Sequence, residues 1–238
     1  MRFLVVVPSI RQSYPGFNEA MVRIEASFTQ PTEFHVLEGS SGKAQTLNRA
    51  LAEMLPNSEA DVYVTMDDDF VPTSGWQDKM SQAFEAHPEI GSLGIWLGDD
   101  PEMVAYMGAD RIHSPRQEGE LTLRTVKPGH HIVGCNVAMR RDLAMAIGPT
   151  PESSERYQFW EDGWRGRMVS KHRYEQAFVD AGPVEFLRWR DTKEYLEMRE
   201  HDIESAKSKV AGIMKASGVG PSLSTRLFAK IRRTFRGN

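Results

Sequence analysis

Asp61-Val62-Tyr63-Val64-Thr65-Met66 runs directly into Asp67-Asp68-Asp69. A short β-branched and aromatic run of this kind reads as a buried strand, and its carboxyl end carries three adjacent acids. Upstream, residues 44–55 place Leu47, Leu51, Met54 and Leu55 on one helical face. Before that helix, Phe34-His35-Val36-Leu37 is a second strand, closed by the turn residues 39–42. Residues 18–28 space Ala20, Met21, Ile24 and Phe28 as a helix, and residues 2–7 form an apolar strand stopped by Pro8. Strand, helix, strand, helix, strand within 70 residues predicts parallel pairing through right-handed crossovers.

Beyond Pro72 the pattern predicts a helix over 75–86 and strands near 92–97, 121–126 and 132–139. A helix over 142–147 is stopped by Gly148-Pro149 and followed by a loop over 149–156. Residues 160–170 read as helical, and 174–186 hold one or two strands. A charged amphipathic helix spans 192–214, and Gly218, Gly220 and Pro221 form a hinge before the end of the chain. The organisation expected is one α/β domain over 1–190, an amphipathic helix over 191–217 and a basic tail over 218–238.

With 40% hydrophobic and 26% charged residues, the 238-residue chain has an ordinary globular composition. Its single cysteine, Cys135, excludes an intrachain disulfide framework and a Cys-rich zinc site. The apolar run 3–7 is too short for a signal segment or membrane span, which makes the cytoplasm the default location. The net charge of −4 is uneven. Residues 205–238 hold eight basic side chains and no acidic one, leaving 21 basic and 33 acidic among the other 204. An acidic body with a basic tail points the tail toward something anionic.

In an open parallel sheet, ligands sit beyond the carboxyl ends of the strands. Three polar clusters fall there: Pro8-Ser9-Ile10-Arg11, Glu38 to Lys43, and Asp67 to Asp69. Three neighbouring carboxylates repel one another without a cation. Mg²⁺ and Mn²⁺ are bound by one or two carboxylates together with substrate phosphates. The triplet therefore suits a metal-bridged diphosphate; the alternatives are a solvated acidic turn or a helix cap. Gly39-Ser40-Ser41-Gly42-Lys43 fails as a P-loop, because Leu37 stands at the first glycine and Ala44 at the Ser/Thr. Lys43 reads either as a phosphate or base contact at a helix start or as an exposed helix lysine. Downstream, Phe159-Trp160-Glu161-Asp162-Gly163-Trp164 puts an acidic pair between aromatics. That pair either caps a helix or supplies a desolvated base beside aromatic walls for a sugar.

Taken in order, these pieces resemble family 2 glycosyltransferases of the GT-A fold over residues 2–188. They are the first strand with Pro8, Glu38, Gly42-Lys43-Ala44 with Leu47-Asn48-Arg49-Ala50-Leu51, and the aspartate turn after residues 62–66. Gly134-Cys135-Asn136-Val137-Ala138-Met139-Arg140-Arg141 and Glu161-Asp162 complete the set. The resemblance implies a Rossmann-like mixed sheet, mostly parallel and flanked by helices, with a basic helical appendage. It implies an inverting transferase taking a nucleoside-diphosphate sugar, UDP-linked by preference, with Mn²⁺ or Mg²⁺. Pro8, Ser9 and Glu38 would line the nucleobase and ribose pocket with Lys43 nearby. Arg11 and Asp68 would count among the nucleotide-sugar contacts. Asp67 would touch the ribose or diphosphate and share the metal with Asp69. Gly134 and Asn136 would shape the sugar and acceptor pocket, and Asp162 would be the general base, assisted by Glu161.

Two features depart from the family pattern. A histidine metal ligand often follows its final strand, yet residues 180–190 hold none, and His172 reads as an exposed loop residue. The strand-end motif after Leu37 is also shortened. His130-His131 is expected at a pocket rim and not on one metal, since neighbouring side chains diverge in an extended chain. Trp76, Trp96 and Trp189 read as core or interface residues. In the tail, Leu223, Leu227, Phe228, Ile231 and Phe235 share a helical face, with basic residues elsewhere. Partner docking, a membrane surface and nucleic acid are its three readings, in that order. The acceptor expected is a saccharide or glycan, with a hydroxylated DNA base as the second option. The rival activities are a nucleotidyltransferase and a nucleic-acid or membrane module with a vestigial site. The first would want a Gly/Arg/Lys-rich loop after the first strand, where residues 9–16 hold only Arg11.

Overall fold

The computed structural model describes residues 1–151 and 161–187. The expected helix over 192–214, the hinge, the basic tail, Trp160 and Trp189 lie outside the described residues.

The front of the chain folds in the order its pattern predicts, except that the first strand runs on through Pro8 to Ser9 instead of stopping at Pro8. Strand β1 (Phe3–Ser9) is apolar and buried because both of its faces are covered. Helix α1 (Phe17–Ala26) turns Phe17, Ala20, Met21 and Ile24 inward. Strand β2 (Thr32–Glu38) pairs in parallel with β1, from Phe3 opposite Thr32 to Ser9 opposite Glu38. Helix α2 (Lys43–Arg49) continues through a wider π turn at Ala50–Met54 and a 3₁₀ turn at Leu55–Asn57. Strand β3 (Val62–Met66) then pairs in parallel with the other side of β1.

The later elements complete the sheet. They are β4 (Phe70–Pro72), α3 (Trp76–Ala86), β5 (Ile90–Ile95), α4 (Pro101–Met107), β6 (Arg116–Glu118) and β7 (Leu121–Thr125). After them come β8 (Asn136–Arg140), α5 (Arg141–Ile147), α6 (Glu161–Lys171), β9 (Glu175–Val179) and β10 (Val184–Phe186). Among the described residues, eight strands form one sheet in the order β2-β1-β3-β8-β5-β9-β7-β6, and β10 pairs with β4 in a second. Strand β8 runs antiparallel to β3 and β5, and β7 to β9 and β6, so the sheet is mixed, with six of its eight strands pointing the same way, as expected.

Alternate residues of each strand feed two cores. Phe3, Val5, Val62 and Val64 pack with Trp76, Met80 and Phe84 of α3 and with α1. Leu4, Val6, Tyr63 and Met139 pack against Leu47 of α2, Leu143 of α5 and Val169 of α6. The result is a sheet between two helical layers.

Two differences from the sequence reading have physical causes. The strand expected over 132–139 begins only at Asn136. At Gly134 the chain passes so close to α6 that a Cβ would collide with the Asp162 carboxylate. Helix α4 was absent from the reading, although Asp100 accepts from the Glu102 N–H at 2.9 Å and Pro101 opens the first turn. Arg140 and Arg141, the end of the run 134–141 that carries the family resemblance, gather carbonyls. Arg140 donates to Ile90, Phe84 and His87 oxygens at 2.8, 2.6 and 3.0 Å, closing the end of α3. Arg141 Nη2 reaches the Leu55 and Pro56 oxygens at 3.1 and 3.2 Å.

Candidate active site

The carboxyl ends of β1 and β3, the start of α2 and the start of α6 meet at one edge of the sheet. The turn after β3 divides the aspartate triplet. Asp68 faces inward, where Arg11 Nε donates to Oδ2 at 3.0 Å, Arg11 Nη2 pairs with Oδ1, and Ser9 Oγ also donates. Only 2% of Asp68 and 6% of Arg11 is exposed. Burial pushes the Asp68 pKa up, against the pull of Arg11. The Arg11 backbone N–H in turn donates to Ser9 Oγ at 2.9 Å, and Gly39 N–H donates to the Ser9 oxygen at 2.9 Å. Asp68 thus anchors the loop after β1, and that loop is pinned to the loop after β2.

Asp67 stands apart from this anchor, whereas Asp69 lies at its edge. Asp67 is half-buried and accepts from Lys43 Nζ at 3.0 Å. Asp69 is buried, with Arg11 Nη1 3.9 Å from its Oδ2. Glu38 is exposed and turned onto its own loop, taking the Ser40 N–H and hydroxyl at 2.7 Å each.

The distant acidic pair comes to the same place. Lys43 Nζ lies 3.0 Å from Glu161 Oε1, so one ammonium joins the end of β3 to the start of α6. Burial opposes that charge, but Asp67, Glu161 and Asp162 together raise the Lys43 pKa well above the usual lysine value. Lys43 is therefore a fixed cation and not a solvated helix lysine. Asp162 is half-buried against Gly134. Burial first, then the Glu161 and Asp67 charges, lift its pKa to about 7, against the opposing pull of Lys43 and Arg165. A carboxylate poised there is suited to general base work near neutrality.

Asn136 is 1% exposed, and neither polar atom of its amide has a hydrogen-bond partner among the described residues. Glu161 Oε2 and Arg165 Nη2 also lack partners there and border a cavity of about 10 Å³, the size of one water. His131 packs against Gly163 and Gly166 on α6, next to Asp162, while His172 is exposed in the turn after α6. Trp76 is fully buried, and Trp96 is covered by the Arg124 guanidinium 4.1 Å from its ring centre, so neither offers a sugar platform. Burial raises the Cys135 thiol well above its ordinary pKa, which keeps it protonated.

Arg165, Thr150 and Asn48 went unread as site residues. The one signal was spacing: Arg165 stands four residues after Glu161 on a helix, so the two share a face.

The model of the family described as "Glycosyl transferase family 2" matches residues 20–148, more than half of the chain. The chain belongs to glycosyl transferase family 2. Its fold is the GT-A arrangement, and it is a glycosyltransferase. No curated protein matches it significantly in sequence. Similar solved structures include a protein from STIV, at 16% identity and TM-score 0.49, covering 76% of this chain and 83% of that one. The Pyrobaculum calidifontis mannosyltransferase PcManGT, solved with GDP-Man and Mn²⁺, is 16% identical with a TM-score of 0.46, covering 88% and 64%. The catalytic domain of Drosophila beta1,4galactosyltransferase 7, in complex with xylobiose, is 14% identical with a TM-score of 0.49, covering 81% and 73%. No described helix of this family 2 glycosyltransferase is long and apolar enough to cross a membrane.

Proposed function

We propose that this glycosyltransferase moves a sugar, with inversion, from a nucleoside-diphosphate sugar to an acceptor hydroxyl, with Asp162 as general base. The observation that carries the reading is the Lys43 bridge, which draws the carboxylates after β3 and the pair on α6 into one cleft. The nucleotide end lies over Pro8, Ser9, Glu38 and Lys43, and the sugar and acceptor over Gly134, Asn136 and Asp162. UDP is the preferred nucleotide, and the acceptor is a saccharide or glycan, ahead of a hydroxylated DNA base.

The donor set beyond β3 fits a hard divalent cation that arrives with a diphosphate. Asp67 and Asp69 offer carboxylate oxygens, which Mg²⁺ and Mn²⁺ take alongside phosphate oxygens. Among the described residues no three His, Cys, Asp or Glu side chains form a closed cage. When bound, the cation offsets negative charge on the departing diphosphate. Lys43 adds a fixed positive charge on the same side. As the acceptor oxygen bonds to the anomeric carbon, the bond from that carbon to the phosphate oxygen breaks and Asp162 takes the hydroxyl proton. Burial, and after it the charge of Glu161 held by Lys43, keeps the Asp162 pKa high enough to accept it.

Arg11 argues against a nucleotidyltransferase. The single basic residue in the loop after β1 is engaged by Asp68 and does not face a triphosphate. Residues 218–238 serve, in this reading, as a docking segment for an anionic surface. The reading is tested by incubating the protein with UDP-sugars, Mn²⁺ and acceptor saccharides and following nucleotide release. UDP formation that Asp162→Asn abolishes supports it. Pyrophosphate release from a nucleoside triphosphate, or full transfer by Asp162→Asn, refutes it.

A further inference from the structure

The structure assigns Thr150 a positioning role: clamped by Asn48, its hydroxyl fixes Arg165 and, through Arg165, the turn of α6 that presents Glu161 and Asp162. This inference rests on the base assignment just made. The Asn48 amide and the Thr150 backbone form a reciprocal pair, with Asn48 Nδ2 donating to the Thr150 oxygen at 2.7 Å and Thr150 N–H donating to Asn48 Oδ1 at 2.8 Å. Arg165 Nε donates to Thr150 Oγ1 at 3.1 Å. Burial raises the pKa of the Tyr63 phenol on β3, and the nearby Arg165 charge pulls it down. Asn48, Thr150 and Arg165 are 8%, 1% and 8% exposed, so these bonds are shielded from bulk solvent.

Helix α2 therefore grips α6 twice, through Lys43 on Glu161 and through Asn48, by way of Thr150, on Arg165. Arg165 lies three and four residues beyond the acidic pair, about one turn along the helix. Burying a guanidinium is expensive, and an apolar side chain would fill that space at lower cost. What the arginine adds is a located positive charge behind the base. The charged groups facing Asp162 are Glu161, Lys43, Asp67 and Arg165. A rigid Arg165 thus sets both the place of Asp162 and the field upon it.

Thr150→Val and Thr150→Ser in the full chain test this, because both keep the backbone clamp and only the second keeps the hydroxyl. For Thr150→Val we expect kcat to fall roughly tenfold to a hundredfold, the scale of a misplaced catalytic group. The donor KM should stay within about twofold, and the acid limb of the kcat profile should move to higher pH. Thr150→Ser should retain normal kcat and limb. Should Thr150→Val fail to fold, Arg165→Lys carries the same expectation, since it keeps the charge but lacks the Nε–H that reaches Thr150. A normal kcat and pH profile in the folded variant overturns the proposal. So does equal impairment of the Val and Ser variants in step with their melting temperatures. Asp162→Asn, run alongside, separates the failures: if it is inactive while Thr150→Val is normal, only the positioning role falls.

Discussion

The ammonium of Lys43 and the carboxylate of Glu161 meet at 3.0 Å, and the same nitrogen is 3.0 Å from Asp67. That contact makes one site of two motifs from opposite ends of the domain. Removing it leaves Glu161, Asp67 and Asp162 without their common cation. Lys43→Met should weaken donor binding and move the acid limb of transfer upward, since Lys43 holds the Asp162 pKa down. Donor titrations and a pH–rate profile read both effects; an unmoved limb counts against the bridge.

Asp162 itself sets a second expectation. Its pKa is raised to about 7, so its basic form is lost as pH falls through 7 and transfer should fall with it. The stability sign is opposite. The folded state holds this proton more tightly than the unfolded chain, whose aspartates titrate near 3.9, so ionising Asp162 destabilises the fold between about pH 4 and 7 and above. Asp162→Asn should therefore melt higher than the native chain at pH 8, by roughly 2–4 °C per kcal/mol of relieved strain. Calorimetry at pH 8 and pH 4 checks it: the gain should shrink at the lower pH.

Gly134→Ala tests the close approach of the chain to α6. Its Cβ would strike both oxygens of Asp162. Transfer should drop by roughly a hundredfold while donor binding persists, as separate kcat and KM measurements would show.

Arg11 and Asp68 form a buried pair, and breaking one side leaves the other charge uncompensated. Arg11→Met should cost about 3–5 kcal/mol, read by urea denaturation. The doubly changed Arg11→Met, Asp68→Leu chain should recover part of that loss.

Much of this was legible in the residues. The buried run 62–66 ending in acids fixed both the strand and the edge on which the site lies. The glycine, lysine and helix after β2 were legible as well, because turn chemistry and periodicity are local. What escaped was long-range. Asp68 looks like its neighbours in sequence, and only the fold turns it onto Arg11 while leaving Asp67 for Lys43. Thr150 follows a helix stop and has no local mark of its bond to Arg165. Helix α4 escaped for another reason: its cap and proline were visible, but its exposed surface gave little apolar periodicity.

A crystal grown with UDP and Mn²⁺, measured at the manganese absorption edge, puts the whole site to the test. We expect an anomalous peak bound by Asp69 and Asp67 together with diphosphate oxygens, the nucleotide lying along Lys43 and its open end facing Asp162. Manganese or UDP bound away from Asp67 and Asp69, with that cleft left to solvent, would contradict the account.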